Sequence, residues 1–155
     1  MRELRVGLVV AGGSLGGVAA ALAACRRGHR VLLIEEMDWL GVQLTSQAVP
    51  PDEHPWIEQF GCTAPHVAAQ RLKVLLRHRV TAAVRDGNWV EALQVAGPDG
   101  EALSVCAPFF LDATEHGDVL PAAGAEFVIG AEGADEHGEP QHRPRRSRPT
   151  SKASP

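Results

Sequence analysis

The sequence predicts an α/β fold, a parallel sheet with helices that opens on a βαβ unit and carries an inserted antiparallel β-meander. Three observations predict it. An apolar run, a glycine cluster, a stretch rich in Ala and Leu, and a second apolar run follow one another within residues 4–34. Two turn signals, Asp86-Gly87 and Gly97-Pro98-Asp99-Gly100, then separate three short strand-like segments. A last apolar segment, Phe109–Leu111, ends at Asp112.

The elements follow in order. Leu4–Val10 holds Val and Leu without clean alternation, as expected of a strand buried on both faces of a parallel sheet. Leu15–Arg27 reads as a helix that stops at Gly28, a residue able to turn left-handed just past a helix end. Val31–Ile34 is the second strand and runs into Glu35-Glu36. Residues 41–56 hold Gly41, Pro50, Pro51 and Pro55 and are expected to be irregular. Pro65 suits the first turn of a helix. Ala68, Leu72, Leu75 and Leu76 repeat at helical spacing, with Arg71, Lys73 and Arg77 on other faces, so a helix is expected here. Val80–Val84, Trp89–Val95 and Leu103–Ala107 form the expected meander, at about residues 79–107. Beyond about Gly133 the apolar pattern ends, and a tail with Pro140, Pro144, Pro149 and Pro155 among Arg, Ser and Glu is expected to be disordered. No internal repeat is visible.

A chain of 155 residues has a one-domain length, and 45% hydrophobic with 22% charged residues is ordinary for a globular protein. All nineteen acids lie between Glu3 and Glu139, whereas Arg143, Arg145, Arg146, Arg148 and Lys152 follow them, so residues 1–139 carry about −9. An acidic body argues against nucleic-acid binding, which needs a basic surface. Cys25, Cys62 and Cys106 are odd in number and far apart, with no C-x-x-C pair. Neither a zinc site nor a disulfide framework is indicated, and a cytoplasmic location is expected. The apolar stretch 6–24 resembles a targeting or membrane segment, but Gly12, Gly13, Gly16 and Gly17 interrupt it and a second strand follows at once. No membrane partner is expected.

The chemistry concentrates in Gly12-Gly13-Ser14-Leu15-Gly16-Gly17. A glycine turn lets backbone approach a diphosphate without a Cβ in the way, and the helix starting there aims its unpaired N–H groups and positive dipole end at that charge. Read as G-x-G-x-x-G, the positions are Gly12, Ser14 and Gly17, with serine in the middle. The Ser14 hydroxyl either donates to a phosphate oxygen or caps the helix. Glu35 lies eighteen residues after Gly17, at the end of the second strand, where an acid accepts hydrogen bonds from a ribose diol. A carboxylate there repels a 2′-phosphate, so FAD or NAD is favoured over NADP. Together these residues read as a Rossmann-like dinucleotide site.

Gly12–Gly17 with Val18-Ala19-Ala20-Ala21, then Val31-Leu32-Leu33-Ile34-Glu35, resemble the amino terminus of FAD-dependent oxidoreductases of the glutathione-reductase-like superfamily. Trp39-Leu40-Gly41-Val42-Gln43-Leu44-Thr45 is similar to a W-L-G-G-Q-L-T stretch of one bacterial branch, and Asp112-Ala113-Thr114-Glu115-His116-Gly117-Asp118 to its D-A-T-x-x-G-D stretch. The resemblance covers residues 1–60 and about 78–130. It implies a Rossmann-like FAD-binding domain over residues 1–130, followed by the tail 131–155. It implies FAD contacts from Gly12, Gly13, Ser14, Gly16, Gly17 and Glu35, joined by Gly41, Gln43, Thr114, Gly117 and Asp118. The sequence departs from the branch in three places. Val42 stands where the pattern has its second glycine, the segment between Cys62 and Leu75 is shorter, and the continuation beyond Gly130 is replaced by the basic tail. On this reading the substrate-facing part is missing.

Other residues carry weaker signals. Glu36 and Asp38 read as a solvated acidic loop, and Asp52, Glu53 and His54 lack the spacing of helical metal-ligand pairs, so no metal is expected. His116 reads as an exposed loop histidine. Asp112 and Asp118 are cofactor ligands or turn and N-cap residues on chemistry alone, and the resemblance favours a cofactor role for Asp118. Cys25 reads as core, Cys62 as a more exposed thiol without a partner, and Trp39, Trp56 and Trp89 as packing residues. The resemblance implies hydride transfer from a small organic substrate to flavin, with reoxidation by another acceptor and no catalytic acid or base identified. The alternatives are a catalytically inert, truncated dinucleotide-binding module, or an NAD-binding domain using the same βαβ unit.

Overall fold

A computed structural model describes residues 2–42, 45 and 71–127. The first apolar run is two strands, β1 (Arg2–Arg5) and β2 (Leu8–Ala11), where the sequence suggested one. The break is at Val6-Gly7. The N–H of Val6 donates to the Cys106 carbonyl and that of Gly7 to the Arg30 carbonyl, so the chain passes from one sheet to another between these two residues. A Cβ on Gly7 would lie 3.2 Å from the Arg30 carbonyl oxygen, tight for a side chain at this crossing point.

Helix α1 spans Leu15–Arg26 and is capped by Ser14. It ends where Gly28, at φ 90°, donates its N–H to the Cys25 carbonyl. β3 (Val31–Glu35) is buried along its whole length. Its register against β2 is parallel, from Leu8 opposite Val31 to Ala11 opposite Ile34.

The next element corrects the sequence reading. Leu72–Leu76 is a strand, β4, paired parallel with β3 from Val31 opposite Leu72 to Glu35 opposite Leu76. A short apolar run is ambiguous between helix and strand, because Leu72, Leu75 and Leu76 suit a helix face as well as a half-covered edge strand. The free edge of β3 decides it, since five buried residues need their backbone groups paired. Pro65 and Ala68, the start of the expected helix, lie outside the described residues, as do Pro50, Pro51, Pro55 and the tail.

The meander is as expected: β5 (Arg79–Asp86), β6 (Trp89–Ala96) and β7 (Ala102–Cys106) pair antiparallel, with a 3-10 turn at Pro98–Gly100. Not foreseen is β1, which adds parallel to β7 and makes a sheet ordered β1-β7-β6-β5. β8 (Phe110–Asp112) returns to pair parallel with β2, giving the second sheet the order β4-β3-β2-β8. A short helix, α2 (Val119–Ala122), follows. The described residues up to Ala123 belong to one compact unit.

The core explains the unbroken apolar runs. Val9, Ala11, Leu32 and Ile34 pack against Leu93, Val95, Leu103 and Val105 of the meander. Val10, Val31 and Leu33 point the other way, onto Ala21 and Cys25 of α1. The parallel sheet is therefore covered by a helix on one face and by the meander on the other, and neither face of β2 or β3 leaves room for polar alternation. Trp39 and Trp89 do not pack as expected, being 66% and 78% exposed. Trp56 lies outside the described residues.

Candidate dinucleotide site

The site is assembled at the carboxyl ends of β2, β3 and β8. Gly12 leaves β2 at φ 99°, and a Cβ there would fall on the carbonyl of Ala113. A Cβ on Gly17 would fall on the carbonyl oxygen of Gly12. Both glycines therefore let backbone pack on backbone. Gly16 differs, since its nearest neighbour would be the Ser14 hydroxyl at 3.9 Å, and its helix turn stands open.

Ser14 is the N-cap of α1, and its hydroxyl oxygen accepts from the Gly17 N–H at 3.2 Å. Its own O–H proton is left free to donate, so the two roles foreseen for it are compatible. The first N–H groups of a helix have no intrahelical partner. Gly17 has the cap, and among the described residues those of Leu15 and Gly16 have no acceptor.

Glu35 is 4% exposed and ties the site together. One carboxylate oxygen accepts from the Gly13 N–H at 2.5 Å, the other from the Met37 N–H at 2.8 Å. The Gly13 carbonyl in turn accepts from Gly41 N–H at 2.7 Å, which anchors the loop after β3 on the glycine turn. A Cβ on Gly13 would come within 2.7 Å of the Glu35 carboxylate, so this glycine serves the acid. A carboxylate has about four acceptor positions, and two are taken.

The Asp112–Asp118 loop closes the site from β8. The Asp112 carboxylate accepts from the Thr114 N–H (3.0 Å), the Thr114 hydroxyl (2.7 Å) and the Val119 N–H (2.9 Å). The Thr114 hydroxyl oxygen also accepts from Asp118 N–H at 2.8 Å. Gly117 turns at φ 69° inside this loop. Asp112 is thus the turn former of the pair left open by the sequence. Asp118 sits at the N-cap position of α2 without a side-chain capping bond.

A cleft of about 570 Å³ brings Gly12, Ser14, Glu35, Thr114 and Asp118 together. A second, of about 520 Å³, lies along Ser14, Gly16 and Thr114. Gly13, Gly17, Gly41 and Gly117 line neither. Gly13 binds Glu35, Gly17 packs on the Gly12 carbonyl and Gly41 binds Gly13. Gln43 lies outside the described residues. Among the described residues no group of three His, Cys, Asp or Glu side chains is placed to hold a metal ion. Asp52, Glu53, His54 and Cys62 lie outside them.

The sequence reading missed the wall built by the β4–β5 corner. His78, Arg79 and Val80 line the first cleft. His78 is buried, with Nδ1 2.6 Å from the Leu76 carbonyl and Nε2 3.3 Å from the Glu101 carboxylate, and its N–H donates to the Glu35 carbonyl. Arg77 pairs with Asp38 of the β3 loop. The residues were hidden because the strand before them read as helix, which aims their side chains elsewhere. The one signal was Gly97, whose missing Cβ makes room for the His78 ring.

A family model described as FAD dependent oxidoreductase matches residues 7–66 and 62–153, more than half of the chain. The chain belongs to the FAD-dependent oxidoreductase family. FAD is the cofactor that goes with that family. Among curated relatives, an FAD-dependent monooxygenase of Arthrinium sp is 37% identical over 54 residues, which are 35% of this chain and 13% of the relative. L-proline dehydrogenase from P. horikoshii superposes with a TM-score of 0.53 at 22% identity, covering 73% of this chain and 23% of that one. For p-nitrophenol 4-monooxygenase from Pseudomonas putida the TM-score is 0.56 at 15% identity, with 84% and 46% covered. The chain thus spans only 13–14% of the length of the curated relatives it matches. The two structural likenesses speak for the fold, a Rossmann-like FAD-binding domain with an inserted meander.

The residues of this family member fit the ADP half of the cofactor. A buried carboxylate, a capped helix start with two N–H groups that have no acceptor among the described residues, and a glycine whose missing side chain leaves open space share one pair of clefts. A diol, a diphosphate and the need for close backbone approach are the features they match.

Proposed function

We propose that residues 1–130 are the cofactor-holding part of a flavin-dependent oxidoreductase that takes a hydride from a small organic substrate. The observation that carries the reading is the single hydrogen-bonded unit formed by the glycine turn, the start of α1 and Glu35. In it Glu35 accepts from the ribose diol, and the N–H groups of Leu15 and Gly16 with the Ser14 hydroxyl hold the diphosphate. Thr114 and Asp118 border the same cleft and Gly41 fixes its loop, and Gln43 is proposed to join them. FAD, when bound, supplies the electron chemistry, and the chain supplies binding and orientation.

Cytoplasmic residence is part of the proposal. It is supported by the buried free thiol of Cys25 and by the absence of a C-x-x-C pair. No helix of the described residues is long and apolar enough to cross a membrane.

A second reading is a module that holds the cofactor without turnover of its own. The side chains around the clefts favour it, because they bind and buttress, and the buried His78 has both ring nitrogens facing acceptors. The visible spectrum of the purified chain, chromatography of released cofactor and titration with FAD, NAD and ADP test the proposal. Flavin bands or saturable FAD binding support it. A colourless protein that binds none of the three overturns it, and reduction of bound flavin by a donor separates enzyme from holder.

A further inference from the structure

We infer that Val42 sets how readily the cleft takes a ligand that continues beyond the diphosphate, restraining full dinucleotides relative to ADP. The inference rests on the proposed ADP site and concerns what lies next to it.

Val42 has φ 27°, in the left-handed region. Arg77 and Asp99 are the other non-glycine residues found there among the described ones, and aspartate tolerates it. For a β-branched residue the conformation is strained and persists only where the surroundings enforce it. The surroundings do so. Just before it, Gly41 N–H is bound to the Gly13 carbonyl at 2.7 Å. After it, Thr45 N–H reaches the Val42 carbonyl at 3.3 Å, and the Thr45 hydroxyl donates to the Leu40 carbonyl at 2.7 Å. A glycine would sit in this turn without strain.

The strained residue also borders the cleft proposed to take the ligand. Val42 lines the larger cleft with Gly12, Ser14 and Thr114. The loop starts at Glu35, the ribose end, where Glu36 and Met37 line the cleft. It reaches the glycine turn at Gly41, so Val42 stands at the diphosphate end. An isopropyl group held there by an enforced backbone takes up space that the second half of a dinucleotide must cross, while ADP stops short of it.

Calorimetric titration of the full chain with FAD and with ADP tests this in wild type, Val42→Gly and Val42→Ala. Val42→Ala removes most of the bulk and keeps the unfavourable φ, whereas Val42→Gly removes both. The expected result is FAD affinity up about tenfold in Val42→Gly and by part of that in Val42→Ala, with ADP affinity within about twofold throughout. Melting of the ligand-free Val42→Gly chain should rise, as a readout of strain alone. ADP and FAD binding retained with an unchanged ratio overturns the assignment of Val42 and leaves the site standing. Failure of all three chains to bind either ligand overturns the site itself and this inference with it.

Discussion

Replacement of Glu35 by alanine tests whether one carboxylate both builds the site and reads its ligand. The side chain accepts hydrogen bonds from two backbone N–H groups, of Gly13 and Met37, at 2.5 and 2.8 Å, and is buried. A hydrogen bond to a charged group contributes about 1.5–3 kcal/mol, and removing the acceptor leaves a buried donor without a partner. Taking the lower figure for both bonds gives a loss near 3 kcal/mol. In a chain of this size that lowers the melting temperature by roughly 6–12 °C. FAD affinity falls further, by at least about tenfold, through the lost ribose contacts. Glu35→Gln separates the two effects. Its amide oxygen can accept from one N–H while its NH2 faces the other, so about half the stability loss returns and ribose binding does not. Urea denaturation and calorimetry with FAD measure both. A Glu35→Ala chain as stable as wild type would refute the bridging role, and unchanged FAD affinity in both variants would refute the ribose role.

Three further outcomes follow from the same geometry. Gly17→Val places a side chain on the Gly12 carbonyl and should abolish FAD binding with a loss of several kcal/mol, about 3 or more, read by denaturant unfolding and titration. Asp112→Ala removes the acceptor of three donors and should cost about 3 kcal/mol, whereas Asp118→Ala, with no capping bond to lose, should leave stability within about 0.5 kcal/mol and lower FAD affinity only. Equal melting of the two variants would contradict this division. Burial pushes the Cys25 thiol above its ordinary range, opposed in part by Arg71, so a thiol reagent at pH 8 should label Cys25 only after unfolding. Rapid labelling of Cys25 in the native chain, located by peptide mass, would count against its place in the core.

Much of the site was legible because its residues follow one another closely. Gly12 to Gly17 and Glu35 lie within a single βαβ unit, where strand, turn and helix signals reinforce each other. The meander was legible from its turns, since Asp86-Gly87 and Gly97-Pro98 leave the chain few other paths. What escaped the reading depends on contacts distant in sequence. Leu72–Leu76, which begins 37 residues after β3 ends, matches a helix until the open edge of β3 is known. Mistaking that strand hid His78 and Arg79, whose place in the cleft follows from the corner after it. The split of β1 from β2 has the same origin, because it depends on Val6 joining Cys106 and Gly7 joining Arg30, both distant in sequence. Asp112 and Asp118 looked alike in sequence, and only the reach of Asp112 to Thr114 and Val119 told them apart.

The position of the cleft is a consequence of strand register. Ala11 stands opposite Ile34 of β3 on one side and Asp112 of β8 on the other. The residues that follow, Gly12, Glu35 and Ala113, therefore emerge level with one another at the carboxyl edge of the sheet. The same register sends Val9, Ala11, Leu32 and Ile34 to the meander and Val10, Val31 and Leu33 to α1. A slip by one residue would exchange the two faces of a strand and move Glu35 off Gly13, so packing and site are fixed by one choice. β2 is also where the chain order reverses, with β3 on one flank and the late strand β8 on the other, and the space between the two departing connections is where open parallel sheets bind ligands. The core that the apolar runs demand and the cleft that the glycines and Glu35 line are in this sense one structure, which is why a substitution at Gly17 or Glu35 is expected to register in both unfolding and cofactor binding.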